Sequence, residues 1–121
     1  YMGLSGGNSK INDYAKKYYP NSKSDLFAVF IEKCNHMTKK NSLTAMITQH
    51  SWMFLSSFEK LRSTMLLADT INMAHLGARA FEEIAGEVVQ TTTWIFRKSN
   101  IKKYKAGYVR LVDFNSQKAK E

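Results

Sequence analysis

Few side chains in this chain could do chemistry: three histidines, one cysteine and one cluster of carboxylates. A metal needs several imidazole, thiolate or carboxylate groups in a single coordination sphere. His36, His50 and His75 fall in separate predicted elements and Cys34 is the sole cysteine, so the spacing predicts no metal site and no disulfide framework. Cys34 reads as a small buried apolar residue of a chain kept in a reducing, cytoplasmic compartment. Glu82, Glu83 and Glu87 form the acidic cluster, yet nothing in the pattern pairs them with an acid or a base. A Walker loop, a G-x-G-x-x-G turn, an H-E-x-x-H helix and a nucleophile elbow are absent from the sequence. What stands out instead is Gln49, Ser51 and Trp52, directly after a predicted strand, where open α/β sheets bind their ligands. Trp52 reads equally well as core.

The elements that must hold these residues follow from hydrophobic spacing. A polar helix is predicted over 8–19, ended by Pro20, with Ile11, Tyr14, Ala15 and Tyr18 on one face. A second helix follows Ser24 and Asp25, whose side chains can cap it, and carries Phe27, Phe30, Ile31, Cys34 and Met37 at helical spacing. The short, mostly uncharged run 43–48 suits a strand buried on both faces, as in a parallel sheet. Ser56 and Glu59 are spaced as a capping box ahead of a third helix striped by Phe58, Leu61, Met65 and Leu66. Residues 70–76 read as the next strand of a crossover unit, with Gly77 as a breaker. Residues 87–97 are the strongest strand pattern, and 108–114 is expected to pair back antiparallel after a basic turn. The polar tail 115–121 is expected to fray.

Composition bounds the rest. The chain has 121 residues, 44% of them hydrophobic and one of them proline, enough to bury a core and unlike a disordered tail. Eighteen Lys and Arg against ten Asp and Glu give a net charge of +8, which suits a polyanionic partner. Lys10, Lys16, Lys17, Lys23, Lys98, Lys102, Lys103 and Lys105 are candidates for phosphate contact. No apolar run is long enough for a membrane span.

The order of four motifs adds a resemblance. Tyr1-Met2-Gly3, then Ser-Lys-Ser-Asp-Leu-Phe-Ala-Val-Phe-Ile-Glu (22–32), then Ala-Met-Ile-Thr-Gln-His-Ser-Trp-Met-Phe-Leu-Ser-Ser-Phe-Glu-Lys-Leu-Arg (45–62), then Ala-His-Leu-Gly-Ala-Arg-Ala-Phe (74–81) resemble class γ adenine-specific DNA methyltransferases. The likeness is to the PglX-type enzymes of BREX phage defence and to related type II restriction-modification methyltransferases. It implies an α/β fold: the C-terminal half of a Rossmann-like S-adenosylmethionine-dependent methyltransferase fold, with a mixed sheet whose last strands are antiparallel. It further implies a partial catalytic domain over 1–114, with the rest of the family's Asn-Pro-Pro-Tyr loop just upstream of Tyr1.

By this resemblance Tyr1 is catalytic and stacks on a flipped adenine, which offsets part of the cost of extruding a base. Phe81 matches the second aromatic that touches that base, Trp52 lines the same wall, and Leu26 and Phe30 match positions packed on the adenine of S-adenosylmethionine. From the residues alone Phe81, Leu26 and Phe30 can equally be core. The family's Gly-rich cofactor loop and acidic ribose-binding residue are not in this chain, so it is expected to be inactive alone. The implied partner is double-stranded DNA, with no membrane, and an exposed sheet edge would favour a homo-oligomer. The rival classes are a small basic nucleic-acid-binding module without enzymatic activity and a purely structural interaction domain.

Overall fold

The computed structural model describes residues 6–81 and 89–121 of the chain. Two helices lead. Helix α1 spans Ser9–Tyr18, and the Asn8 side chain accepts from the Ile11 amide at 3.0 Å. Helix α2 spans Leu26–Met37, and Asp25 accepts from the Phe27 amide, as the sequence predicts. Such short polar side chains satisfy amides that a helix start leaves without partners. Phe27, Ala28 and Ile31 of α2 enter the main core, while Val29 packs in a smaller cluster with Ala15 and Tyr19. Ser22 is buried and donates to Glu32 at 2.6 Å, so the buried carboxylate of α2 keeps a partner.

Strands β1 (Leu43–Gln49), β2 (Asp69–Gly77), β3 (Thr91–Arg97) and β4 (Gly107–Arg110) form one mixed sheet in the order β1-β3-β2-β4. β3 runs antiparallel to both its neighbours, so β1 and β2 point the same way with β3 between them. The crossover from β1 through helix α3 (Glu59–Met65) to β2 is present, but it steps over the place that β3 fills.

Several expectations change. The run expected to be buried in a parallel sheet is paired antiparallel, and β1 leaves Leu43 and Ile47 exposed. The last strand was expected to fold back on its predecessor, whereas β4 pairs parallel with β2, Met73 opposite Tyr108. The reason is occupancy. Both edges of β3 are taken, so the returning chain cannot pair with it and adds to the outer edge of β2 instead. The capping box does not form, because Ser56–Phe58 is itself a 3-10 turn running into α3, without a side-chain cap. The tail does not simply fray: Ser116 caps a short helix α4 (Gln117–Lys120), and Lys120 Nζ donates to the Leu76 and Ala78 carbonyls. Residues 82–88, with the three glutamates of the acidic cluster, lie outside the described residues, as does Tyr1.

The core lies on one face of the sheet. Cross-strand register places Met46, Trp94 and Met73 side by side there, beneath Ile31, Phe58, Leu61 and Met65 from the helices and turns. Trp94 is fully buried and packs on Phe96 with centroids 4.8 Å apart. The end of the sheet where β1 and β2 begin is knit by polar contacts. Asp69 accepts from Ser99 Oγ at 2.5 Å, the Ile101 amide at 2.8 Å and Arg97 at 3.2 Å. The Ser99 and Ile101 hydrogen bonds, then the Arg97 guanidinium, hold its carboxyl below the ordinary range against the opposing effect of burial. Lys98 Nζ donates to the Asn35 and Thr38 carbonyls, each at 2.8 Å, and so ties the end of α2 to the end of β3. Among the described residues no helix is long and apolar enough to cross a membrane.

Candidate active site

The carboxyl ends of β1 and β2 lie together because both strands are antiparallel to the strand between them. α2 runs back along β1: its last turn is tied to Lys98 at the opposite end, and Phe27 in its first turn meets Phe58 beyond β1, centroids 5.6 Å apart. The first turn of α2, with Leu26, therefore shares the carboxyl end with the segment after β1. That segment is a 3-10 turn, His50–Met53. Its shape is fixed from beneath, as Arg62 of α3 donates to the carbonyls of Trp52 and Leu55 at 2.7 and 2.6 Å.

The turn and β2 bring two histidines into contact. His50 Nδ1 lies 2.8 Å from His75 Nε2, with the rings inclined at 44°. Phe54 closes on both imidazoles, at 5.4 and 5.7 Å between centroids, yet is itself 61% exposed. Burial pushes both imidazoles below their ordinary pKa, and for His75 the charges of His50, Arg110 and Lys120 act in the same direction. Both rings are thus held neutral near pH 7. At the start of β3, opposite Gln49 and Gly77, the buried Thr91 Oγ1 has no hydrogen-bond partner among the described residues.

The residues singled out in the sequence take different places. Trp52 is 4% exposed and belongs to the core, with its indole donating to Thr48 Oγ1 at 3.1 Å. It supports the turn from within the core, the alternative that the sequence left open for it. Gln49 and Ser51 remain half-buried at the strand end. Leu26 is half-buried, whereas Phe30, one turn further along α2, is 54% exposed and so is not spent on the core. Phe81 follows the carboxyl end of β2 and is 39% exposed. Gly77 makes that exit possible: its φ is +71°, and a Cβ would stand 3.0 Å from Val112 Cα. Sequence reasoning set the histidines apart. The available signal was that His50 ends one strand and His75 nearly ends the next, so parallel strands bring them level.

The Eco57I restriction-modification methylase family model matches residues 1–81. This chain belongs to that family. It is 56% identical, over its whole length, to the adenine-specific methyltransferase PglX of Lacticaseibacillus casei (strain Zhang), and covers 10% of that protein. It is 49% identical over 99% of its length to the adenine-specific methyltransferase BrxX of Escherichia coli O9:H4 (strain HS), again covering 10% of it. The chain thus spans about a tenth of the length of these curated relatives. Its fold is shared with lmo1582 of Listeria monocytogenes, assigned to the class I S-adenosylmethionine-dependent methyltransferases: TM-score 0.63 at 14% identity, over 94% of this chain and 36% of that one. The Rossmann-like expectation for the fold therefore holds.

Two other features of this methylase chain lie away from the carboxyl end. A groove of about 550 Å³ opens at the opposite end, lined by Asp69, Asn100, Lys103, Tyr104, Lys105 and Tyr108. Of the candidate phosphate-binding lysines, Lys98 is taken by the α2 carbonyls, while Lys10, Lys16, Lys17, Lys23, Lys102, Lys103 and Lys105 are exposed. Among the described residues no three ligating side chains gather as a metal site.

Proposed function

We propose that this chain forms part of the catalytic domain of an S-adenosylmethionine-dependent DNA methyltransferase that methylates the exocyclic amine of a flipped adenine, in restriction-modification or phage defence. The observation that carries this reading is identity along the full chain to an adenine-specific methyltransferase. S-adenosylmethionine would supply an electrophilic methyl group. The chain's own fit to that cofactor is one apolar surface, Leu26 and the uncovered ring of Phe30, on the part of α2 nearest the carboxyl end. A half-exposed phenyl ring that the core does not use suits the face of an adenine.

In this reading Tyr1 stacks on the extruded target base and Phe81 closes on it from the exit of β2, each recovering part of the cost of unstacking. Trp52 holds the turn beneath them. The exposed lysines contribute phosphate contacts to double-stranded DNA, which makes binding depend on salt. The test is methylation by the full-length protein that contains this chain. Isotope-labelled cofactor and duplex DNA should yield labelled N6-methyladenine on nucleoside mass spectrometry, and Tyr1→Ala should reduce it by at least tenfold. A full-length protein that binds duplex DNA yet forms no methyladenine would favour the non-enzymatic binding module.

A further inference from the structure

We propose that the His50–His75 pair accepts the proton released when the target amine is methylated, and passes it through two hydrogen-bonded rings to solvent. The inference rests on the methyltransferase reading above. When the amine nitrogen bonds to the methyl carbon, the C–S bond breaks with its electron pair going to sulfur. The sulfonium charge is thereby lost and a positive charge appears on nitrogen. One N–H proton must then leave, and in a site that excludes water it needs a fixed acceptor.

The geometry of the pair suits this task. A 2.8 Å contact between Nδ1 of one imidazole and Nε2 of the other requires one ring to donate and the other to accept. Whichever way that bond is polarised, the outer nitrogens, His50 Nε2 and His75 Nδ1, then comprise one N–H and one free lone pair in the neutral pair. No described residue hydrogen-bonds to either. A proton taken at the outer lone pair can shift along the inner bond and be released from the other outer nitrogen; this leaves the pair in the opposite tautomer, and proton exchange with solvent restores the first.

The surroundings keep the relay empty between turnovers. The charged groups that act on His75 are Arg110 of β4, itself paired with Asp113, and Lys120 of α4. Phe54 lies against both rings and adds no charge. Among the described residues no carboxylate faces either ring to trap a proton there. The pair also sits at the carboxyl end of the sheet, where open α/β folds bind ligands. A metal is a poorer account: the nitrogens are at hydrogen-bond distance, and no third ligand joins them among the described residues.

The test uses the full-length protein and two variants. His50→Asn keeps a polar atom near the Nδ1 position and removes the outer nitrogen; His75→Gln keeps one near Nε2 and does the same. Single-turnover methyl transfer at pH 7.5 should fall about 100-fold in each, within the range for loss of general-base catalysis. The KM values for DNA and cofactor should stay within about twofold. The wild-type rate should fall on acidification below about pH 6.5, the ordinary imidazole value, and that dependence should vanish in both variants. An independent readout is imidazole NMR of this chain: the two rings should titrate as a coupled pair below about pH 6.5, and His75→Gln should shift the titration of His50. Wild-type methylation with both variants within threefold of it, or variants that keep the acidic limb, would overturn the proposal alone. A wild-type protein that makes no methyladenine would overturn the underlying function and this step with it.

Discussion

The two ends of the sheet use polar groups in opposite ways. At the end where β1 and β2 begin, the charged groups of Asp69, Arg97 and Lys98 are tied into local hydrogen bonds: three donors converge on Asp69, and Lys98 closes off the carbonyls of α2. At the carboxyl end two neutral imidazoles hold each other, and among the described residues their outer nitrogens and the buried Thr91 hydroxyl have no hydrogen-bond partner. Aromatic rings stand exposed there as well, Phe54 and Phe81 among them. Buried polar groups without partners are costly, so folds keep them where something else completes them. The contrast teaches that one end uses its polar groups to hold the sheet together, while the other leaves polar groups open among the described residues.

The largest expected effect tests the layer both ends share. Trp94→Ala should cost about 3–5 kcal/mol in denaturant unfolding and loosen both ends at once, because the fully buried indole spans the centre of the core. A loss below about 1 kcal/mol would show that the ends are held independently. Next, Gly77→Ala should cost about 1–3 kcal/mol, since alanine would have to adopt φ +71° against the Val112 backbone. Hydrogen exchange should show that loss concentrated at the exit of β2 and spare the Asp69 end. Uniform loosening would weaken the separation drawn between the ends.

Acid should separate the two ends by pH. The imidazoles are depressed in the folded chain, so the stability they contribute is fully present above about pH 6.5 and is lost as pH falls from there through their folded values. Asp69 is depressed too, and its contribution is complete above about pH 4 and lost as pH falls through its folded value. Unfolding measured from pH 8 to 3 should show both declines, the upper reduced in His75→Gln and the lower in Asp69→Asn. A single decline insensitive to His75→Gln would remove the electrostatic distinction. The smallest effect is expected for Phe30→Ser, within about 0.5 kcal/mol in stability because the ring is exposed. In the full-length protein the same change should weaken cofactor binding severalfold by calorimetry, and unchanged binding would remove Phe30 from the cofactor surface.

Much of this was legible in the residues. The Asp25 cap, the Leu-Thr-Ala-Met-Ile-Thr run and the stop at Gly77 are local features, set by backbone preferences and hydrophobic period within a few neighbours. Motif order sufficed for the family, because the spacing of four segments is itself sequence information. Local pattern could not reach the pairing of strands. The insertion of β3 between β1 and β2 denies β4 its predecessor as a partner, and it brings the His50 and His75 rings level. Whether a tryptophan or a phenylalanine faces the core likewise depends on what lies across the sheet. Trp52 and Phe30 carry the same apolar signal in sequence, yet one supports the turn from below and the other stands in the open. Sequence alone determined most of the helices and strands and the family they serve, since those depend on neighbours along the chain. Only the tertiary structure decided which polar groups meet and which are left unpaired, because hydrogen bonding and burial act through contacts that chain order does not specify.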